Sequence, residues 1–212
     1  MVRRACCEYS KWCPILKKLI LIGGGGHCKS CIDVIEQTGQ YEIIGILDKQ
    51  ERLLQFVLGY KIIGTDDCIE SLVTDGYEFL VTIGQIKSPK LKESLFNKLK
   101  ICNANIATII SPRAYVSKYA RVDEGTIIMH DVLVNANAHI GKNCIINTKA
   151  LIEHDAIIGN HCHISTAAII NGGAEIKHGS FFGSNATSKE YVVSSEVGFI
   201  KAGTVYKGLK NV

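Results

Sequence analysis

The sequence predicts two consecutive domains, an α/β domain on a parallel sheet and then a parallel β-helix. Short apolar runs alternate with amphipathic stretches in the N-terminal half, as in α/β proteins. Near Ile109 this alternation stops, and a six-residue repeat continues almost to the C-terminus. We therefore expect an extension of unknown role over 1–16, the α/β domain over 17–109, the β-helix over 110–206 and a tail over 207–212.

The N-terminal half has the order of strands and helices expected of a Rossmann-like fold. Crossover helices between strands make such a sheet parallel. The predicted segments, in order, are Leu19–Gly23, Cys28–Thr38, Ile43–Leu47, Asp66–Val73, Phe79–Ile83, Pro89–Lys100 and Ile106–Ile110.

The six-residue repeat predicts the interior of the β-helix. Every sixth residue from Ile110 to Ile176 is Ile or Val, and the residue four positions later is small or β-branched throughout. Aliphatic β-branched side chains fill a strand core, and small residues let the backbone bend inside a narrow solenoid. Cys144 and Cys162 occupy the small interior position, whereas the six histidines of this half do not, so we expect those histidines outside or at corners.

Composition narrows the classes of partner and the compartment. The 24 basic residues are scattered among 20 acidic ones, with no basic run of five, so we expect no nucleic-acid partner. The run Leu19–Ile22 is far shorter than the ~20 residues that span a bilayer, so we expect no membrane insertion. Nine cysteines without framework spacing are typical of free thiols in a reducing compartment, so we expect a cytoplasmic protein.

A glycine-rich loop follows the first predicted strand. Gly23–Gly26 and His27 lead into a predicted helix, where backbone N–H groups and the helix dipole hold phosphate groups. The third glycine of the dinucleotide fingerprint is missing, so we do not expect NAD. Asp48 ends the second strand, where a carboxylate accepts hydrogen bonds from a ribose or a base, although such an Asp is also a common turn residue.

Neither cysteine nor histidine spacing predicts a metal site. Cys28 and Cys31 form a C-x-x-C, but no second such pair is present to complete a four-ligand zinc site. The histidines of the β-helix also lack the spacing of the zinc-dependent carbonic anhydrases, which resemble this half in their repeats. We expect no metal.

One histidine of the β-helix stands between two carboxylates. Glu153 and Asp155 flank His154, and a carboxylate beside an imidazole fixes its tautomer and raises its basicity. These are properties of a general base. The alternative interpretation is an exposed, solvated histidine.

Five segments together resemble the sugar acetyltransferases of bacterial glycan biosynthesis, a family of hexapeptide-repeat enzymes. The family includes the UDP-4-amino-sugar N-acetyltransferases and the sialic acid O-acetyltransferases, and the likeness covers about residues 17–206. The segments that carry it are Gly23 to His27, Asp48, Val81 to Gln85, Ile110 to Ala114 and Asn147 to His154.

The resemblance implies a left-handed β-helix, acetyl-CoA as cosubstrate and a homotrimer with active sites between subunits. In the implied catalytic group, His154 is the base, Asp155 or Glu153 orients it, and Glu153 also lines the acceptor pocket. Implied nucleotide-sugar contacts are Gly25, Gly26, His27, Asp48, Ile83, Gly84 and Asn147. Implied acetyl-CoA contacts are His163, Gly172, Ser184 and Ala202, with His163 touching the thioester carbonyl and helping to stabilise the oxyanion.

The implied reaction is N-acetylation of a UDP-4-amino-4,6-dideoxy sugar. O-acetylation of a sialic or other nonulosonic acid, or a non-catalytic nucleotide-sugar-binding subunit, are the alternatives. The chain departs from the family pattern at Asp155, where Glu is common, and in the last coil. There Ser188 and Ser194 replace aliphatic residues, and Lys201 and Ala202 stand where glycines are common.

Overall fold

A computed structural model describes residues 16–209, so most of the predicted extension and the last three residues of the tail lie outside the described residues. The N-terminal domain is a six-stranded sheet flanked by helices. Its elements are β1 (Lys17–Ile22), α1 (Gly26–Thr38), β2 (Tyr41–Leu47), β3 (Phe56–Val57), β4 (Tyr60–Gly64), α2 (Ile69–Thr74), β5 (Glu78–Val81), α3 (Lys90–Ile101) and β6 (Asn105–Ile106), with 3-10 turns at Gln50–Arg52 and Asp66–Cys68.

The order of the strands creates a crevice at one end of this sheet. The order is β3-β4-β2-β1-β5-β6, and all pairs are parallel except β3 with β4. The chain moves from β1 to β2 on one side and reaches β5 on the other, so the carboxyl end of β1 is a topological switch point. The β3–β4 hairpin was not predicted, because two-residue β3 is too short to show an alternating pattern.

The β-helix has three faces, which we call the first, second and third. The first-face strands are β7 (Ile109–Ile110), β10 (Ile127–Ile128), β13 (Ile145–Ile146), β16 (His163–Ile164), β19 (Phe181–Phe182) and β21 (Phe199–Ile200). The second-face strands are β8 (Tyr115–Val116), β11 (Leu133–Val134), β14 (Leu151–Ile152), β17 (Ile169–Ile170), β20 (Thr187–Ser188) and β22 (Val205–Tyr206). The third-face strands are β9 (Arg121–Val122), β12 (His139–Ile140), β15 (Ile157–Ile158) and β18 (Glu175–Ile176).

The predicted interior of this left-handed β-helix is confirmed. Strands pair in parallel with residues eighteen apart, as in the series Ile127, Ile145 and His163. Cys144 and Cys162 are fully buried. Each coil therefore holds three hexads without a break in register.

The serines that replace aliphatic residues near the end are also buried. Ser188 accepts a hydrogen bond from the backbone N–H of Asn171 (2.8 Å), and Ser194 accepts one from that of Lys177 (2.8 Å). A buried hydroxyl costs free energy unless it is hydrogen-bonded, and these bonds meet that need. The last coil thus keeps the register with polar side chains.

The N-terminal domain packs against the first face. Ile109, Ile127 and Ile145 point away from the interior, yet each is at most 1% exposed because the N-terminal domain covers them. The predicted single strand Ile106–Ile110 is wrong, because β6 joins the first sheet and β7 opens the β-helix. The β-helix consequently begins at Ile109.

The same packing corrects the expectation for two histidines. His161 and His163 lie outside the interior, as expected, but only 6% and 7% of their surfaces are exposed. The repeat determines which residues face the interior, but not which outward residues a second domain covers. The predicted start of α1 at Cys28 is also late by two residues. No helix among the described residues is long and apolar enough to cross a bilayer.

A substitution at the small interior position tests the register. Ala156 is fully buried, so Ala156→Leu forces extra volume into the solenoid and should lower the free energy of unfolding by about 1–3 kcal/mol. The control is Ile157→Leu at the adjacent residue, which is 44% exposed and should change little. Denaturant unfolding measures both; equal stability of the two variants would refute the inward position of Ala156.

Candidate active site

One cavity of about 960 Å³ lies between the switch point of the sheet and the first face. It brings together residues that are far apart in the sequence, and all seven predicted nucleotide-sugar contacts line it. The predicted residues in its wall are Gly25, Gly26, His27, Asp48, Ile83, Gly84, Asn147 and His163.

Asp48 holds the glycine loop in place. One carboxylate oxygen accepts a hydrogen bond from the backbone N–H of Gly24 (2.9 Å) and pairs with Arg52. The other accepts one from the backbone N–H of Lys49 (2.8 Å). Both oxygens of Asp48 therefore have partners within the chain. Asp48 stabilises the wall of the cavity, in addition to the predicted role of accepting hydrogen bonds from a ribose.

Three cations that were not predicted line the same cavity. Lys49, Arg52 and Lys87 come from two separate segments, which is why no basic run marks them in the sequence. The same cavity is lined by the start of α1, whose N-cap is Gly25 and whose first turn has no acidic residue. Unsatisfied N–H groups and positive charge together favour a phosphorylated ligand here.

His27 and His163 are neutral in this cavity. Burial lowers the pKa of each to about 4, so neither ring is charged at neutral pH. His163 Nδ1 donates to the backbone oxygen of Gln85 (2.5 Å), which leaves Nε2 as an acceptor, 3.2 Å from the amide nitrogen of Asn147. In this tautomer, His163 has no proton for the oxyanion, contrary to the role the resemblance implied.

Gln85 was missed by sequence reasoning, although its segment carried the resemblance. It is 2% exposed, and its side chain donates to the backbone oxygen of Gly179 (3.1 Å). One residue thus ties the loop after β5 to the β-helix and fixes the ring of His163.

His154 lies elsewhere, on the edge between the second and third faces. Its side chain is 54% exposed, and Nδ1 donates to Asp155 (2.7 Å), whose other oxygen accepts from Asn137 (2.6 Å). The hydrogen bond to Asp155 raises the pKa of His154 above its ordinary value. The short arm of Asp155 therefore still holds the imidazole, and the exposed Nε2 keeps its lone pair.

Glu153 makes its hydrogen bonds to groups other than the imidazole. It accepts a hydrogen bond from the side chain of Asn135 (2.9 Å) and a longer one from the backbone N–H of His154 (3.3 Å). Glu153 therefore orients the backbone beside His154, and Asp155 orients the ring.

Gly172 makes room for the imidazole of His154. A Cβ atom there would lie 2.8 Å from Cε1 and 2.9 Å from Nε2 of the ring, so a larger residue would displace the imidazole. The ring thus lies against bare backbone one coil above, in a space where a ligand would meet both the imidazole and the peptide groups.

The predicted residues fall on two edges of the prism. Asn147, Ser184 and Ala202 follow first-face strands, on the edge between the first and second faces. His154 and Gly172 follow second-face strands, on the next edge, and neither lines the cavity. A single chain therefore presents two halves of the predicted site on separate edges.

A third group of polar side chains lies where α3 meets the β-helix. Candidate ligand atoms of Glu93, His161 and His178 lie within 4.8 Å of one another, as in a metal site. Asn143 donates to His161 Nδ1 (2.8 Å), and Lys92 holds the Asn143 oxygen (2.9 Å), which places the His161 proton on Nε2. In that tautomer, Nδ1 of His161 already accepts a hydrogen bond and Nε2 carries the proton, so neither nitrogen offers a free lone pair to a metal. We therefore interpret the group as a polar contact between domains; the absence of a metal stays a prediction.

Comparisons with known proteins agree with this geometry. Residues 18–99 match the PglD N-terminal domain family. The acetyltransferase domain of PglB from Neisseria gonorrhoeae FA1090 superposes with a TM-score of 0.84 at 26% identity, covering 91% of this chain and 92% of that one. No curated protein sequence matches the chain.

A second solved structure matches both domains. It is a histidine variant of perosamine N-acetyltransferase from Caulobacter crescentus, in complex with CoA and GDP-perosamine, with a TM-score of 0.64 and 26% identity over 90% of this chain and 93% of that one. The chain is thus similar over both domains to bacterial sugar acetyltransferases of the hexapeptide-repeat type. WeeI from Acinetobacter baumannii AYE, at 19% identity and a TM-score of 0.52, shares the fold of this family.

Titration of His154 tests the hydrogen bond between its imidazole and Asp155. Because the hydrogen bond to Asp155 favours the charged ring, the wild-type pKa should lie above the ordinary 6.5, and Asp155→Asn should lower it. NMR of the Cε1 proton against pH measures both, with His139→Gln used to assign another exposed ring. An unchanged midpoint in Asp155→Asn would contradict the pairing.

Proposed function

We propose that this acetyltransferase moves the acetyl group of acetyl-CoA to the 4-amino group of a UDP-4-amino-4,6-dideoxy sugar, with His154 as general base. The observation that carries the proposal is the His154–Asp155 pair, whose free Nε2 lies beside Gly172. Of the two histidine environments, only this one raises the pKa, and a base needs a pKa near the working pH.

The cavity on the first face suits a nucleotide sugar. Its glycine loop, the open N-terminus of α1 and its cations are complementary to a diphosphate. The similar perosamine N-acetyltransferase was solved with GDP-perosamine, which supports a nucleotide sugar as the class of acceptor. His163 Nε2 and the side chain of Asn147 then face the sugar end.

The two edges of the β-helix offer groups that suit acetyl-CoA, the proposed donor. The similar PglB domain was solved with acetyl coenzyme A. Gly172 has no side chain, so its backbone is open beside His154. On the other edge, Ser184 and the exposed Ala202 lie in coils further along the β-helix. When bound, acetyl-CoA supplies an activated acetyl thioester.

A homotrimer unites the two halves. Apart from Thr187, the outward side chains of the second face, which separates the two edges, are apolar and partly exposed, among them Tyr115 (62%), Leu133 (38%) and Val205 (60%). Such a row favours burial against another copy. If two copies meet there, His154 of one copy comes to the Asn147 edge and the cavity of its neighbour.

In this arrangement the chain's own groups carry the proton steps. Asp155 keeps the His154 proton on Nδ1, and Nε2 takes a proton from the amine as its nitrogen bonds to the acetyl carbon. The carbon–sulfur bond then breaks and the thiolate takes up a proton. Backbone N–H groups, rather than the neutral His163, stabilise the oxyanion.

Loss of the base tests the assignment. His154→Ala should lower kcat by a factor of about 10²–10⁴, the usual effect of losing a general base. The assay compares the variant with the wild type on the same acceptor and measures the release of coenzyme A. His139→Ala is the matched control, because His139 also pairs with a carboxylate, Asp123 (3.0 Å), but lies on the third face.

The acceptor panel contains UDP-4-amino sugars, GDP-4-amino sugars and nonulosonic acids. Transfer to UDP-4-amino sugars is the expected result, whereas preference for a hydroxyl acceptor would show O-acetylation. Nucleotide-sugar binding without transfer from acetyl-CoA would show a binding subunit. Near-normal turnover of His154→Ala would overturn the mechanism.

A further inference from the structure

Asn137 lies one coil below Asp155, on the edge that carries His154. The backbone N–H of Asp155 donates to the oxygen of Ala136 (3.2 Å), so the two turns are stacked directly. Asn137 and Asp155 have φ of 60° and 61°, the left-handed conformation that other turns of the β-helix also take. Equal backbone angles in stacked coils bring the two side chains out of the turn side by side.

The side chain of Asn137 binds the oxygen of Asp155 that His154 does not use. Asn137 Nδ2 donates to Asp155 Oδ1 (2.6 Å), while His154 Nδ1 donates to Asp155 Oδ2 (2.7 Å). An amide NH2 group is a neutral donor that does not titrate, so this bond is available at every working pH. Two hydrogen bonds therefore connect the amide, the carboxylate and the imidazole in series.

The bond from Asn137 matters because the histidine–aspartate pair is open to water. The side chains of His154 and Asp155 are 54% and 52% exposed. Water competes for the hydrogen bonds of exposed groups, and a free aspartate can change its rotamer, so an isolated pair would keep its geometry for only part of the time. A donor on the far oxygen restricts that rotation.

The imidazole is also bounded on its other side. A Cβ atom on Gly172, one coil above, would lie 2.8 Å from Cε1 of His154, so the ring lies close to the glycine backbone. Asp155 then fixes the ring at Nδ1, and Asn137 fixes Asp155 from the coil below. Three successive coils thus contribute to the orientation of one ring.

We propose that Asn137 is a positioning residue for the base, a role that rests on the proposed function. Asn137 holds the rotamer in which the Asp155 carboxylate faces Nδ1 of His154, and Nε2 stays free for the acceptor amine. The same bond favours the charged carboxylate, and it is the main cause that holds the pKa of Asp155 below its ordinary value. Asp155 therefore remains an anion while His154 carries the proton, and Asn137 compensates for the short arm of the aspartate.

Titration of His154 in Asn137→Gly tests the positioning without any substrate. Glycine removes the amide and accepts the left-handed turn, so the backbone is kept. Without the second bond, Asp155 turns away for part of the time, and the pKa of His154 should fall from its raised value towards 6.5. NMR of the Cε1 proton against pH measures the midpoint. A rise in the pKa would mean that Asn137 only weakens the carboxylate as an acceptor, which contradicts the proposal.

Turnover tests the consequence for the reaction. Asn137→Gly should lower kcat about three- to tenfold, the effect expected of one hydrogen bond, with the KM for the acceptor unchanged. Asn137→Asp keeps the size of the side chain but replaces the donor by a second carboxylate, so it should lower kcat as well. The matched control is Asn103→Gly, because Asn103 is exposed at the end of α3 with φ of 52°, away from both edges. It should leave kcat and the pKa of His154 at wild-type values.

A double-mutant cycle separates positioning from a general effect on the fold. In an Asp155→Ala background, Asn137→Gly should change kcat by less than about twofold, because its effect passes through the carboxylate. Equal losses of kcat in both backgrounds, or wild-type kcat and pKa in Asn137→Gly, would refute the role of Asn137. Loss of the fold in both Asn137 variants, measured by denaturant unfolding, would show a structural role instead. If the wild type transfers no acetyl group, the proposed function fails, and the titration still decides whether Asn137 holds the pair.

Discussion

The eighteen-residue step of the β-helix is the constraint on which the rest of the structure depends. Backbone hydrogen bonds join each coil to the next at the same offset, so residues eighteen apart stack in columns. Because the interior accepts only small and aliphatic or hydrogen-bonded side chains, the register cannot slip without burying outward residues. The columns place His154 beside Gly172, and that contact sets the imidazole in its exposed position.

The repeat made the β-helix easy to predict, but it did not indicate which outward residues the N-terminal domain covers. Interior residues such as Cys144 follow from counting alone, and the structure confirms them. The burial of His161 and His163 could not be counted, because it depends on where the N-terminal domain packs. The apolar outward residues Ile127 and Ile145 were a signal of that contact, since an outward aliphatic row needs a cover.

The residues of the cavity also divide into those that the sequence predicted and those that it did not. Local pattern identified the glycine loop and His27, because the geometry of a strand, a turn and a helix is encoded within a few residues. Arg52, Lys87 and Gln85 escaped notice, because each gains its role from a partner or a loop distant in sequence. The tautomer of His163 likewise depends on a backbone oxygen contributed by the other domain.

In the proposed homotrimer, two edges carry complementary halves of one site, so assembly is part of the proposed chemistry. His154 carries the raised pKa, while the cavity carries the anion-binding groups, and the second face separates them within a chain. In this proposal, the base and the acceptor site of each active site therefore belong to different chains.

Mixed assemblies of two inactive variants test this claim most directly. His154→Ala removes the base, and Gly26→Asp places a carboxylate where the diphosphate would bind, in open space that a Cβ does not clash with. Each variant alone should be inactive. Co-refolding at equal amounts should restore about a quarter of wild-type turnover, because each site draws its two halves independently. No recovery, from assemblies shown to contain both chains, would contradict a site shared between subunits.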